Sequence, residues 1–143
     1  MRISDILRTK ADGASVISIS PDDTVTELVA ILAEHRIGAV VVLRGSEVAG
    51  IVSERDVVRR LSDRGADVLQ AKVSELMTSD VITCAPGDYV DAIAETMTEH
   101  RFRHLPVVDD GELVGVVSIG DVVKNRIREL EKDRSQLEQY VTG

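Results

Sequence analysis

The chain has 143 residues, a formal net charge of −8 and one cysteine, Cys84. The acidic charge argues against a general nucleic-acid binder, since phosphate backbones bind to basic faces. A lone cysteine excludes an internal disulfide framework and a cysteine-rich zinc site. No apolar run approaches the roughly 20 residues needed to cross a bilayer, and the N-terminus lacks the apolar core of a signal peptide. We therefore predict a soluble, cytoplasmic protein that binds neither nucleic acid nor membrane.

The first elements along the chain are a leader, a strand and a helix. The leader lies around Ile3–Leu7, and an apolar strand is predicted at Val16–Ile19. Pro21 and Asp23 are typical of a helix start. The apolar residues that follow recur at i, i+3, i+4 and i+7, which is one stripe of a helix. They are Val25, Leu28, Val29 and Leu32.

A hairpin and a second helix complete this unit. Two runs rich in β-branched residues, Ala39–Leu43 and Val48–Val52, flank a polar turn and predict two antiparallel strands. A helix is predicted to follow from Ser53. The first half of the chain therefore has the order β-α-β-β-α after its leader.

The same unit occurs again in the second half. A shift of 65 positions aligns residues 16–61 with 81–126 without a gap, and 16 of the 46 aligned positions are identical. Self-similarity at a fixed period indicates a repeat architecture. The leader recurs at Val73–Met77 with an offset of 70, so the first copy carries five extra residues around Lys10–Ser15. Neither copy alone covers both faces of its sheet, so we expect the two to pack about a pseudo-two-fold axis.

The predicted fold class is α/β (α+β): tandem β-α-β-β-α repeats in one module over residues 1–143, with an extended C-terminal helix. Its segments are repeat 1 (2–64), a connector (65–72), repeat 2 (73–127) and a helical tail (128–143). Apolar residues recur at heptad-like spacing along the last helix: Val123, Ile127, Leu130 and Leu137. Arg134 interrupts this stripe. The stripe is consistent with a coiled-coil or dimer contact. It is equally consistent with a charged helix that packs one face against the rest of the module.

The junction between hairpin and helix carries a shared motif. Gly50-Ile-Val-Ser-Glu-Arg-Asp56 and Gly115-Val-Val-Ser-Ile-Gly-Asp121 both read Gly-apolar-apolar-Ser-x-x-Asp. With His104-Leu-Pro-Val-Val-Asp109 in the middle strand of repeat 2, these segments resemble CBS domains. Two copies in register over about residues 2–127 resemble a CBS pair, or Bateman module. The tail Ser135–Val141 is similar to the end of some stand-alone bacterial two-CBS proteins.

The Ser-x-x-Asp motifs, Ser53 to Asp56 and Ser118 to Asp121, have two interpretations. A carboxylate offers two acceptor oxygens to a ribose cis-diol, and a helix N-terminus suits phosphate. The same spacing is a capping box, in which serine caps the helix and the acidic residue closes the first turn. The residues alone favour the capping box, whereas the CBS resemblance favours the nucleotide. Both hold together if the cap also presents its groups to a ligand.

The repeats differ most in their charges. Arg103 and His104 replace Gly38 and Ala39 of repeat 1, while Arg55 is replaced by Gly120 in repeat 2. Two further basic residues, His100 and Arg101, have counterparts in repeat 1, and we interpret them as cations at a helix C-terminus, where they suit the dipole. The CBS resemblance implies clefts that combine one repeat's first strand and pre-hairpin segment with the other repeat's Ser-x-x-Asp.

Site B would then consist of Ser53, Arg55, Asp56, Thr78, Val81, Ile82, Phe102, Arg103, His104 and Leu105. Site A would consist of Ile17, Ser18, Ile37, Gly38, Ala39, Ser118 and Asp121. In site B we expect three cations (Arg55, Arg103 and His104) on phosphate, Phe102 beside the base, and backbone near Val81–Ile82 on the adenine. Site A, with almost no positive charge, is expected to be weak, empty or devoted to a less charged group.

The resemblance implies a homodimeric regulatory sensor. Its cleft is expected to bind AMP, ADP, ATP or NAD, or a related adenosine compound, and to pass the change to an unidentified target protein. No cofactor is expected to be required. The three histidines lack metal-ligand spacing, and no nucleophile or phosphate-loop motif occurs, so we predict neither a metal site nor an enzyme. Cys84 replaces Ile19 in an apolar strand and is interpreted as a buried filler. The alternative is a constitutive protein-interaction scaffold with vestigial nucleotide sites.

Overall fold

A computed structural model describes residues 1–10 and 16–142 of the chain, with the backbone alone for Thr142. The predicted insertion at Lys10–Ser15 therefore lies outside the described residues except for Lys10 itself. The helices are α1 (Ile3–Thr9), α2 (Val25–His35), α3 (Glu54–Arg64), α4 (Val90–His100) and α5 (Ile119–Thr142). The strands are β1 (Ser18–Ile19), β2 (Ala39–Arg44), β3 (Glu47–Ser53), β4 (His104–Asp109) and β5 (Glu112–Ser118). Two 3-10 helices, Gly65–Gln70 and Val73–Glu75, join the repeats.

The helices start and end where local signals place them. Thr24 caps α2 by accepting a hydrogen bond from the backbone N–H of Glu27 at 3.2 Å, and the Glu27 carboxylate accepts from the Thr24 N–H in return. Both α2 and α4 end on an arginine in the left-handed conformation, Arg36 with φ 53° and Arg101 with φ 58°. This conformation turns the chain away from the helix axis and into the strand that follows.

The two sheets repeat one another except at their first strand. In repeat 1, β1 runs parallel to β2, which pairs antiparallel with β3. In repeat 2, β4 and β5 form the same hairpin with a register shift at the equivalent place. The predicted strand over Val81–Thr83 is absent from the described sheet, and only Cys84 forms a bridge, parallel to Val107. Pro106 explains this, because it has no N–H to donate to the next carbonyl of a parallel ladder.

Each hydrophobic core is completed by the leader of the other repeat. Ile3 and Ile6 of α1 are buried in the core of repeat 2, against Met97, Leu105 and Val117. Conversely, the second leader and the connector enter the core of repeat 1, where Val25, Leu28, Val52, Val68 and Val73 are fully buried. The connector enters this core through Val68. The two repeats therefore exchange leaders.

The last helix, α5, has 24 residues and is longer than its counterpart α3. It packs on α1, α4 and β5 near its start. The predicted extended C-terminal helix is thus present, and it continues past the module. In the described part of the chain, no helix is both long enough and apolar enough to cross a membrane.

Candidate functional site

A cleft of about 260 Å³ lies between the repeats, beside the N-terminus of α3. Its walls include seven residues predicted for site B: Ser53, Arg55, Asp56, Thr78, Phe102, Arg103 and His104. They also include Gly38 and Ala39, which were predicted for site A. Since the pre-hairpin segments of both repeats border this cleft, the two predicted sites adjoin each other there.

The remaining predicted residues are not among those that line this cleft. For site B these are Val81, Ile82 and Leu105, and for site A they are Ile17, Ser18, Ile37, Ser118 and Asp121. Leu105 is 1% exposed and belongs to the core of repeat 2. Neighbouring residues of a strand point to opposite faces, so when His104 borders the cleft the side chain of Leu105 turns inward. Ile17 and Ile37 pack on the core of repeat 1.

The Ser53–Asp56 pair forms the predicted capping box. The Ser53 backbone N–H donates to Oδ2 of Asp56 at 2.8 Å, the Ser53 hydroxyl donates to the same oxygen at 3.0 Å, and the Asp56 N–H donates to Ser53 Oγ at 3.3 Å. All contacts to the carboxylate use Oδ2. Among the described residues, none donates a hydrogen bond to Oδ1. Asp56 therefore caps α3 and still offers one carboxylate oxygen at the cleft.

The matching pair in repeat 2 has an additional partner. The Ser118 N–H donates to Oδ2 of Asp121 at 2.9 Å, and the Asp121 N–H donates to Ser118 Oγ at 3.1 Å. Lys10, which ends α1, places its Nζ 2.7 Å from the same Oδ2. Burial acts to raise the pKa of Asp121, but the hydrogen bonds from Lys10 and Ser118 outweigh burial and hold it below its usual value. The prediction that site A has almost no positive charge is therefore wrong.

The positive charge of the cleft comes from three arginines. Arg55 and Arg103 border it as predicted, and Arg101 is the third. Burial lowers the pKa of His104, and the charges of Lys10 and Arg103 lower it further against the opposing charge of Asp121. The direction of this shift favours the neutral imidazole and so does not favour the cationic role predicted for His104.

Sequence reasoning missed three residues of the cleft: Ile51, Glu54 and Arg101. Ile51 lies two positions before Ser53 on β3, so the two-residue period of a strand would have placed both on one face. Glu54 lies inside the motif and follows the cap. Arg101 had been assigned to the helix end alone. Its left-handed backbone ends α4 and brings it to the cleft as well.

The aromatic wall is Phe102. Its ring stacks on His100, with 6.0 Å between ring centroids and 16° between planes. It also packs against the core of repeat 2. The cleft thus combines guanidinium groups, the carboxylates of Glu54 and Asp56 and a small apolar wall, a set that suits binding of an anion with a planar group.

Neither a metal ligand set nor a reactive thiol adds to this site. In the described part of the chain, no group of three His, Cys, Asp or Glu side chains is placed to hold a metal ion. Burial, with a smaller effect of Asp88, raises the pKa of the Cys84 thiol to about 11. Cys84 is therefore a protonated, buried side chain at neutral pH, which agrees with its interpretation as a filler.

Comparison with known proteins agrees with this architecture. The CBS-domain family model matches residues 3–63 and 73–128. The chain is 37% identical over 149 residues to the mitochondrial CBS domain-containing protein CBSX3 of Arabidopsis thaliana, an alignment that covers 99% of this chain and 72% of that protein. It also matches the crystal structure of a CBS-domain-containing protein from Agrobacterium tumefaciens with a TM-score of 0.82 and 42% identity, covering 88% of this chain and 99% of that one.

A third match is the CBS domain pair of protein MJ0100, crystallised in complex with methylthioadenosine and S-adenosyl-L-methionine. It has a TM-score of 0.79 at 24% identity, covering 90% of this chain and 98% of that one, and shows the shared fold. The predicted α/β fold and the resemblance drawn from the Ser-x-x-Asp motifs are both confirmed. This chain belongs to the CBS-domain family, and its two repeats form a CBS pair.

Proposed function

We propose that this CBS pair is a non-catalytic regulatory sensor that binds an adenine nucleotide in the cleft bordered by Asp56 and Arg103. The observation that carries the proposal is that three arginines line one cleft together with the Glu54 and Asp56 carboxylates in a chain of net charge −8. Guanidinium groups bind phosphate through paired N–H donors. The carboxylate accepts hydrogen bonds from ribose hydroxyls. The adenosine ligands named for MJ0100 support an adenosine group as the common element.

The proposed pose places phosphate on Arg55, Arg101 and Arg103, and ribose on Oδ1 of Asp56. The adenine lies against Phe102 and contacts the backbone beyond Thr78. In that backbone the Val81 N–H already donates to the carbonyl of Ser79 at 3.0 Å. Among the described residues, none hydrogen-bonds the N–H or C=O of Ile82. We therefore propose that the backbone N–H and C=O of Ile82 hydrogen-bond the edge of the adenine.

The size of the cleft favours a mononucleotide. Sites for small molecules commonly enclose about 300–1,000 Å³, and this cleft of about 260 Å³ lies just below that range. AMP, ADP or ATP, with phosphates extending past the arginines, requires less opening than NAD. Binding shifts an equilibrium only if the ligand prefers one state, so we propose that a slight opening of the cleft is what an unidentified target protein detects.

A thermal-shift screen with AMP, ADP, ATP, NAD, NADH and S-adenosylmethionine tests the proposal. The sensor is expected to gain stability with ligand concentration, by about 2.7 kcal/mol at 100 times Kd. The alternative, a constitutive scaffold with vestigial sites, requires that none of these compounds shifts the melting temperature. The proposal that the protein is not a catalyst is tested by incubating it with each nucleotide for a long time. Each nucleotide is expected to be recovered unchanged.

We further propose a homodimer that uses the exposed apolar stripe of α5. The exposed residues recur every three or four positions around the interruption at Arg134: Val123, Ile127, Leu130, Leu137 and Val141. This is the spacing by which two helices pack along a seam, and an exposed apolar patch of this kind marks an interaction surface. The absence of a nucleic-acid or membrane partner and a cytoplasmic location remain parts of this proposal.

Light scattering tests the dimer. The unchanged chain is expected to have twice its 15.6 kDa mass. The Leu130→Glu variant is expected to have the monomer mass, because the new glutamate would bury a charge between the two helices. Lys124→Glu, an exposed change on the same helix outside the stripe, is the control and is expected to remain dimeric. A monomeric unchanged chain, or a dimeric Leu130→Glu variant, contradicts the use of this surface.

A further inference from the structure

Lys10 holds the carboxylate that repeat 2 would offer to a ligand. Its Nζ lies 2.7 Å from Oδ2 of Asp121 and donates to the carbonyl oxygen of Val116 at 2.6 Å. The Lys10 side chain is 41% exposed and that of Asp121 is 21% exposed, so solvent screens the pair only in part. The ammonium group thus occupies the space between β5 and the start of α5.

The fold of the leader directs Lys10 to this position. Ile3 and Ile6 are buried in the core of repeat 2, which anchors α1 against β5. Leu7 packs against Gly115 so closely that a Cβ on this glycine would lie 2.6 Å from its Cδ2. Lys10, less than one helical turn further along, therefore reaches Val116 and Asp121 from a fixed base.

The second leader makes the same approach to repeat 1 without a cation. Met77, the counterpart of Leu7 at the leader offset of 70, lies against Gly50, the counterpart of Gly115. At that offset the counterpart of Lys10 is Asp80, which is exposed. Asp56 accordingly has no ion pair among the described residues. Among the described residues, the Asp121 carboxylate is therefore paired with a lysine and the Asp56 carboxylate with no cation.

We propose that Lys10 closes site A by occupying the Asp121 carboxylate, so that the CBS pair binds one nucleotide rather than two. This inference rests on the proposed function, because it assumes that a Ser-x-x-Asp carboxylate accepts the ribose. Oδ1 accepts no hydrogen bond from the described residues in either aspartate, so the two carboxylates differ in their charge partner. A nucleotide entering site A meets a carboxylate already paired with the Lys10 ammonium and has to displace that charge-assisted hydrogen bond, whereas Asp56 has no ion pair. Lys10 is thus a specificity-determining residue that sets the stoichiometry.

Isothermal titration calorimetry with AMP tests the proposal on the full chain. The unchanged protein is expected to bind one AMP, and Lys10→Ala two, with the new site at least tenfold tighter than any second binding in the unchanged protein. Lys10→Arg keeps a cation on Asp121 and is expected to bind one. Lys124→Ala removes an exposed lysine of α5 and is the matched control. It is also expected to bind one AMP. The double variant Lys10→Ala, Asp121→Ala is expected to return to one.

The outcomes separate this proposal from the proposed function. One AMP on both the unchanged chain and Lys10→Ala overturns the role of Lys10 and leaves site B intact. Two AMP on the unchanged chain, with one lost in Lys10→Ala, also overturns it, because Lys10 would then be a ligand contact. If the unchanged chain binds none and Lys10→Ala binds one through Asp121, the closure of site A stands and the nucleotide site at Asp56 is wrong. No binding to either overturns both.

Discussion

Asp56→Ala is expected to weaken AMP binding by about 10- to 100-fold, while Asp121→Ala changes it by no more than about twofold. Hydrogen bonds to a charged group contribute about 1.5–3 kcal/mol each, and every 1.4 kcal/mol is about a factor of ten in affinity. Oδ1 of Asp56 has no hydrogen bond among the described residues. Oδ1 of Asp121 has none either, but the charge of that carboxylate is already paired with Lys10 at Oδ2.

The two variants control for one another because both remove a capping box. Each loses the acidic half of its capping box, and Asp121→Ala also loses the ion pair with Lys10, so urea denaturation is expected to show the larger loss of stability in Asp121→Ala. Calorimetry with AMP then isolates the contact with the ligand. Equal affinities in the two variants would show that neither carboxylate binds ribose, and the proposed function would lose its main support.

Gly50→Ala is expected to destabilise the fold by about 1–3 kcal/mol, as overpacking of a core does, and to do so more than Gly115→Ala. A Cβ on Gly50 would lie 2.7 Å from the carbonyl oxygen of Thr78 and 2.9 Å from Sδ of Met77. That oxygen is fixed, because Ile51 and Thr78 exchange backbone hydrogen bonds of 3.0 and 2.9 Å. Moving it breaks this pair.

Gly115 is the matched position in repeat 2. A Cβ there would meet the end of the Leu7 side chain at 2.6 Å, and a side-chain end can rotate away at less cost than a backbone carbonyl. Urea denaturation of both variants gives the comparison. Because Thr78 also borders the cleft, Gly50→Ala is expected to weaken AMP binding as well. A larger stability loss in Gly115→Ala contradicts this account of the two contacts.

Local chemistry was enough to predict most elements. The helical stripe at Val25 to Leu32, the β-branched runs of the hairpins and the serine before each second helix depend on residues a few positions apart. The capping box at Ser53 and Asp56 formed as its spacing predicted. One local rule was overlooked: Pro106 stands in the sequence, and its missing N–H ends the strand pairing at Cys84.

The contents of the site depended on contacts between distant residues. Lys10 and Asp121 are 111 positions apart, and only the exchange of leaders between the repeats brings them together. The lowered pKa of His104 follows from burial and from the charges of Lys10 and Arg103, which its sequence neighbours alone do not specify. Arg101 borders the cleft because its backbone is left-handed.

The sequence by itself therefore determined the duplication, the family and the two Ser-x-x-Asp motifs. Each of these depends on a repeat period or on residues only a few positions apart. Only the tertiary structure decided that the motifs are unequal. The inequality arises because the two exchanged leaders carry different side chains. The first leader ends in Lys10, which pairs with Asp121, and the second has the exposed Asp80 at the corresponding position. Charge and burial at a site are sums over neighbours in space, and those neighbours are known only once the chain has folded.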